Sequence, residues 1–160
     1  MKSISQKKLI RHNLFIFFLI ILSYATQAQL VQLPNEWKFK MGDNIDWAEQ
    51  SFNDTGWGNK QLGTRWSATG IKDYVYAWYR IKIVIPSSMK SAAEKNNGIK
   101  LNLGKIGDVD QTFFNGKLIG HTGSFPPAYE NIWDAERVYI ISANEVLWDK
   151  ENLIAVRVFS

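Results

Sequence analysis

The stretch that decides the fold is Gly107–Gly120, GDVDQTFFNGKLIG. Two short alternating apolar runs, Val109–Phe114 and Lys117–Gly120, meet at Asn115-Gly116. That dipeptide best tolerates the positive φ angles of a two-residue hairpin turn. Two acids, Asp108 and Asp110, stand ahead of the turn, and a loop rich in aromatic, glycine and proline residues runs from His121 to Trp133 behind it. A rigid hairpin feeding such a loop is a common way for a β-sandwich to present a binding rim.

The flanking sequence carries the same period. Tyr79, Ile81, Ile83 and Ile85 fall on one face of a strand Tyr76–Ile85, with Arg80 and Lys82 on the other, the pattern of a half-buried strand. Pro86 ends it, because proline cannot donate into a ladder. A polar connection, Ser87–Gly98, with a helical turn around Ser91–Lys95, leads to a second strand at Ile99, Leu101 and Leu103. Arg137–Ile141 and Asn152–Phe159 read as further strands, and Ala143–Trp148 as a short helical turn. Upstream the periodicity weakens, and Trp37–Lys40 and Gln61–Arg65 are the candidate strands there. Many short strands, turn signals between them and almost no helix predict an all-β chain folded as an antiparallel β-sandwich.

The N-terminus reads differently. Lys2, Lys7, Lys8 and Arg11 form a basic leader, Leu14–Leu22 is wholly apolar, and residues 23–28 are small and polar. That is the order of a secretory signal peptide, with cleavage expected after Ala28 and a secreted or periplasmic destination. The alternative is a retained anchor, but the apolar run is about half the length that spanning requires. Removing 28 of the 160 residues leaves 132, a usual size for one domain, here residues 29–160. It also removes four of the 19 Lys/Arg, leaving 15 against 15 Asp/Glu, so the formal charge of +4 belongs to the leader. No basic field remains to recruit nucleic acid or an anionic membrane. Cysteine is absent, so lipid modification of the N-terminus and disulfides are excluded, and an exported domain must be held by its core.

The pieces, taken in order, resemble the sugar-binding domain of glycoside hydrolase family 2, a galactose-binding-like jelly roll. The resemblance rests on Trp37-Lys38-Phe39, on Ser51–Trp57 (similar to the family's F-D-D-S-x-W turn), and on Gly63–Trp66. It continues through Ala77-Trp78-Tyr79-Arg80, Asn115-Gly116-Lys117 and the closing strand Asn152–Val158. The run GDVDQTFFNG followed by GSFPP looks especially like the related domain of bacterial sialate O-acetylesterases. In such enzymes the catalytic residues lie on another domain, and this sequence carries no GxSxG, GDS or HExxH block. The resemblance therefore implies a non-catalytic module. Its partners would be a glycan or oligosaccharide, or a catalytic domain against which it packs. The expectation is an N-terminal fragment that lacks its catalytic domain, which the sequence does not separate from a free-standing module; the alternative is a ligand-free scaffold packing against a catalytic domain.

Several residues could carry a glycan. Asp108 and Asp110, two apart on an extended strand, would share a face; hydrolysis by paired carboxylates needs ~5–5.5 Å or ~6.5–9.5 Å between them, whereas acids at a strand entrance commonly organise turns. His121 could donate to a sugar hydroxyl or stand partly exposed. With His12 in the leader, no histidine cluster for a metal exists in the mature chain. Trp66, Tyr129 and Trp133 lie outside clean strand periodicity and could stack on a pyranose or plug the sandwich ends. Trp57 and Trp78 read as packing residues. Arg137, with Asp134 and Glu136, makes an ion-paired corner or a ligand-facing donor. Asp43 and Asp46 could give oxygens to a structural calcium, but two acids fall far short of its six to eight ligands. Asn53-Asp54-Thr55 is formally a glycosylation sequon, although Asp54 more simply organises the turn before Trp57.

Overall fold

The computed structural model describes residues 29–63, 66, 70–71 and 74–160, so the leader and the end of the Gln61–Arg65 segment lie outside the described residues. The unit Val31–Ser160 is an all-β sandwich. Its strands are β1 (Glu36–Met41), β2 (Gly58–Gln61), β3 (Tyr76–Val84), β4 (Ile99–Lys105), β5 (Val109–Phe114), β6 (Lys117–Thr122), β7 (Glu136–Ile141) and β8 (Glu151–Phe159). Among the described residues, one short helix, α1 (Lys90–Lys95), and single 3-10 turns lie in the connections. The layers are unequal: a six-stranded sheet in the order β2-β1-β3-β8-β5-β6 faces the pair β4-β7, and every pairing within these sheets is antiparallel.

The hairpin forms where the sequence places it. Asn115 and Gly116 both take positive φ, 50° and 87°, the geometry of a type I′ turn that matches strand twist. Asn115 does more than turn the chain. Its amide donates to Glu145 O and Asn152 Oδ1, while its Oδ1 accepts from Leu153 N. β6 runs two residues beyond expectation, to Thr122, with a bulge opposite Thr112 and Phe113.

Between the sheets lies one core of Trp37, Ile85, Leu101, Phe114, Ile141, Val146, Ile154, Val156 and Val158. A second core sits on the opposite face of the large sheet. There Trp78, Phe113, Leu153 and Ala155 are covered by Trp47, Ala48, Trp57 and Phe52 of the 42–57 segment. Trp47 meets Trp57 and Trp78 edge-on at 5.1 and 6.2 Å between ring centres. Trp57 and Trp78 are thus packing residues, as expected.

This second core corrects one expectation. Arg80 was assigned to a solvent face by alternation, yet it is fully buried. Its Nε donates to Asp54 at 2.7 Å, and its remaining donors reach the carbonyls of Trp47, Glu49 and Phe52. The alternation of β3 is real, but its second face is covered at Trp78 and Arg80 and turns exposed only from Lys82 to Val84. The polar face is one on which a loop lies, and loops present carbonyls that need donors.

Candidate functional site

The acids before the hairpin belong to a network at one end of the sandwich. Asp110 projects from β5 towards β7, its Oδ1 accepting from Arg137 Nε at 3.0 Å and its Oδ2 from Thr112 Oγ1 at 2.9 Å and Tyr139 OH at 2.8 Å. Arg137 donates further to the carbonyls of Ile132, Ala135 and Asp108. Both side chains of the pair are 0% exposed. Burial, together with the Asp110 carboxylate, pushes the Tyr139 phenol well above its ordinary value. With these bonds made, Asp110 and Arg137 have no exposed surface and form a buried clamp tying the small sheet and the 123–135 loop to the large sheet. Arg137 is ion-paired, as one of its two expected readings has it, with Asp110 as the partner.

Asp108 and Tyr129 form a second pair, the Tyr129 hydroxyl donating to Asp108 Oδ2 at 2.6 Å. The peptide between Gly107 and Asp108 is cis. Burial first, then the hydrogen bond and charge of Asp108, pushes the Tyr129 phenol up to about 12. The Tyr129 ring meets Phe159 at 5.4 Å and the exposed Tyr74 at 6.4 Å. Beside them Tyr76 and Phe125 stack at 5.8 Å and 6°.

Arg157 lies over Tyr76 and Phe125, 4.9 and 4.3 Å from the ring centres, and is ion-paired with Asp43. It also donates to Gln111 Oε1 at 2.9 Å. His121 is the register partner of Gln111 on β6, whereas Thr122 is that of Asp110. Successive strand residues point to opposite faces, so exposed His121 shares the Arg157 face and stands across the sheet from Asp110. The imagined rim of Asp108, Asp110 and His121 is therefore divided between two faces.

The Asp43 carboxylate is occupied. Burial raises its pKa, but the hydrogen bonds from Arg157 and Trp78 and the Arg157 charge outweigh that and hold it below the ordinary value. An aspartate so paired is a poor oxygen donor for calcium, and among the described residues no three His, Cys, Asp or Glu come close enough to hold a metal. Asn53 Oδ1 accepts from Thr55 N at 3.0 Å, so the sequon residues build the turn whose Asp54 meets Arg80.

The remaining two candidates lie apart. Trp133 is 60% exposed at the loop tip, its backbone N donating to Asn131 Oδ1. Trp66 lines a cleft of about 480 Å³ between the layers, with Trp37, Tyr79, Leu103, Ile106 and Val156. Its indole donates to Tyr79 OH at 2.7 Å. The aromatic cluster of Tyr74, Tyr76, Phe125 and Phe159 was missed from the sequence. Its signal was present: Tyr76, Arg157 and Phe159 stand where a solvated strand face would carry small polar residues.

What the fold and these clusters define is an antiparallel β-sandwich whose charged side chains hold loops in place. No family model matches the sequence, and no curated protein does. Solved structures do. A β-glucuronidase of Bacteroides uniformis superposes with a TM-score of 0.66 at 23% identity, over 83% of this chain and 15% of its own. A glycosyl hydrolase family 2 member from Bacteroides cellulosilyticus gives 0.57 at 24%, over 78% and 17%. A β-glucuronidase from Ruminococcus gnavus gives 0.62 at 16%, over 86% and 23%. At these identities the likeness is one of fold, and the chain spans less than a quarter of each matched protein.

Proposed function

We propose that this chain is a non-catalytic carbohydrate-binding or accessory domain of a secreted carbohydrate-active enzyme of the glycoside hydrolase family 2 type. The observation that carries the reading is the coverage. Most of this chain corresponds to a minor part of several glycoside hydrolases. The buried, paired state of Asp110 agrees with it, since a general acid or nucleophile must reach substrate. The likeness to sialate O-acetylesterases rests on the GDVDQTFFNG run and the GSFPP that follows it.

Glycan contact in this reading falls to exposed groups: Trp133 and His121, with Tyr129 and Asp108 at the edge of the aromatic cluster. Trp66 serves the cleft. Affinity is weak, because a shallow polar site recovers little after desolvation and ordering. A ligand-free scaffold that packs on a catalytic domain is the second reading. The burial of Asp110 and Arg137 favours it by removing two of the expected sugar contacts.

Glycan-array screening followed by calorimetry on the purified chain separates the two. Millimolar binding lost in Trp133→Ala or His121→Ala supports the first; no binding to any glycan supports the scaffold. Turnover of chromogenic glycosides or acetyl esters by the chain overturns both. Export is tested by fractionation and N-terminal sequencing, with the mature protein expected to begin after Ala28.

A further inference from the structure

We propose that Asn97 is a site of spontaneous covalent modification, in which its side chain closes on the Gly98 nitrogen and loses ammonia, and that the isoaspartyl product loosens the junction between α1 and β4. The sequence holds two Asn-Gly dipeptides, Asn97-Gly98 and Asn115-Gly116. Both asparagines stand in the left-handed region, at φ of 59° and 50°, and each is followed by a glycine of positive φ. Dipeptide and backbone are therefore matched. What differs is the hold on the side chain.

Asn115 is held on both sides. Its Nδ2 donates to Glu145 O at 3.1 Å and to Asn152 Oδ1 at 2.9 Å, and its Oδ1 accepts from Leu153 N at 2.8 Å. The amide carbon between these atoms cannot turn towards Gly116 until all three bonds break. Asn97 is exposed, and among the described residues its amide has no hydrogen-bond partner. One bond opposes the reaction there, from Gly98 N to Ala93 O at 2.7 Å. It closes the last turn of the six-residue α1, of which Ala93 alone is buried. A helix so short is marginal on its own, and an exposed turn held by one buried side chain lies at the low end of local stability.

Hydroxide removes the proton from Gly98 N, which then attacks Asn97 Cγ. The N–Cγ bond forms, the Cγ–Nδ2 bond breaks, and Nδ2 takes a proton from water and leaves as ammonia. Glycine suits the attacking position, because no Cβ crowds its nitrogen or restricts its backbone. Water then opens the five-membered imide. Cleavage of the N–Cγ bond leaves an aspartate on the original main chain. Cleavage at the α-carbonyl leaves an isoaspartate, whose main chain runs through Cβ and is one carbon longer. The longer product does not fit the junction. The Gly98 backbone passes so close to β7 that a Cβ there would stand 2.4 Å from Ile141 O, and the next residue, Ile99, is in register with Ile141. An added carbon pushes against that contact, so the Gly98–Ala93 bond and the first β4–β7 pair open.

The test ages the full chain at mildly alkaline pH and follows both dipeptides by peptide mass spectrometry, with fragmentation that separates aspartate from isoaspartate. Each hydrogen bond that must break slows the reaction about fivefold. With one such bond against three, Asn97 is expected to convert on the order of 25-fold faster than Asn115. In concentrated urea the two rates should converge, because the fold alone separates them. Equal rates in the folded chain, or a difference that persists in urea, overturn the assignment. In the isoaspartyl fraction, amides of residues 90–101 are expected to exchange on the order of 10-fold faster than in the fresh chain, while Asn97→Asp leaves them within about 2-fold. Matching exchange in the isoaspartyl fraction and in Asn97→Asp refutes the loosening. None of these readouts involves a glycan, so the outcome is independent of the accessory-domain reading.

Discussion

Arg137→Met removes a guanidinium that the fold has fully enclosed. Four hydrogen bonds go with it: one to the Asp110 carboxylate and three to the carbonyls of Ile132, Ala135 and Asp108. Methionine fills similar volume, so the loss is polar and not a cavity. Asp110 keeps only the hydroxyls of Thr112 and Tyr139 in a site without exposed surface. Removing one partner of a buried pair costs about 3–5 kcal/mol, because it leaves an uncompensated charge. Domains of this size hold about 5–15 kcal/mol in all. Urea unfolding followed by tryptophan fluorescence should show the midpoint fall by one to several molar at an m-value of about 1–3 kcal/mol/M. The double variant Asp110→Leu/Arg137→Met removes both charges and should lose about 2 kcal/mol less than the two single losses added together. It stays below wild type, since three carbonyls remain without a donor. A single-variant loss under about 1 kcal/mol, or strict additivity in the cycle, would refute the clamp.

Arg80→Lys keeps the charge but cannot reach Asp54 and three carbonyls together, so it should cost about 2–4 kcal/mol and speed amide exchange across residues 42–57 ahead of the rest of the chain. Gly120→Ala pushes a methyl into the Tyr139 ring and should cost about 1–3 kcal/mol, whereas Gly56→Ala, with open space around it, should change thermal stability little. The pH limits follow from two phenols and one carboxylate. Tyr129 and Tyr139 have raised folded values, so their contribution is complete below the unfolded value of 10 and is lost as pH climbs towards about 12, at which the Tyr129 phenolate would face Asp108. Asp43 is depressed; its contribution is present above 3.8 and is lost as pH falls through its lowered folded value. Unfolding midpoints measured across pH 2–4 and pH 9–12 check both signs, and Tyr129→Phe should blunt the alkaline loss.

The hairpin, the strands β3 to β8 and the sandwich class were legible because period-2 alternation and an Asn-Gly turn are local signals. The candidate site was not. Alternation separates two faces of a strand but does not say what lies on each. It put Arg80 in solvent, and it left open whether Arg137 faced a ligand or an ion-paired corner. It also joined Asp108, Asp110 and His121 on proximity in sequence, whereas the register that sets His121 opposite Gln111 sends it across the sheet from Asp110. Aromatic density at Tyr76, Phe125 and Phe159 signalled a covered face, but which loop covers it depends on contacts more than 30 residues apart, as between Tyr76 and Phe125.

The two buried arginines share one construction. In each, Nε meets a single carboxylate, Asp54 or Asp110, and the four bonds are completed by three backbone carbonyls of the connecting segments that lie on a sheet. A segment outside sheet and helix cannot satisfy its own carbonyls when buried, and an unsatisfied one costs about 1–3 kcal/mol. A guanidinium supplies several donors in one plane, and one carboxylate neutralises it. Arg80 fastens residues 47–54 to one face of the large sheet, and Arg137 fastens residues 132–135 and Asp108 at the end of the other. Two of the charged residues that sequence reading nominates for chemistry, Asp110 and Arg137, are consumed in holding loops. Both arginines thereby make rigid what would otherwise be mobile connections lying on the sandwich.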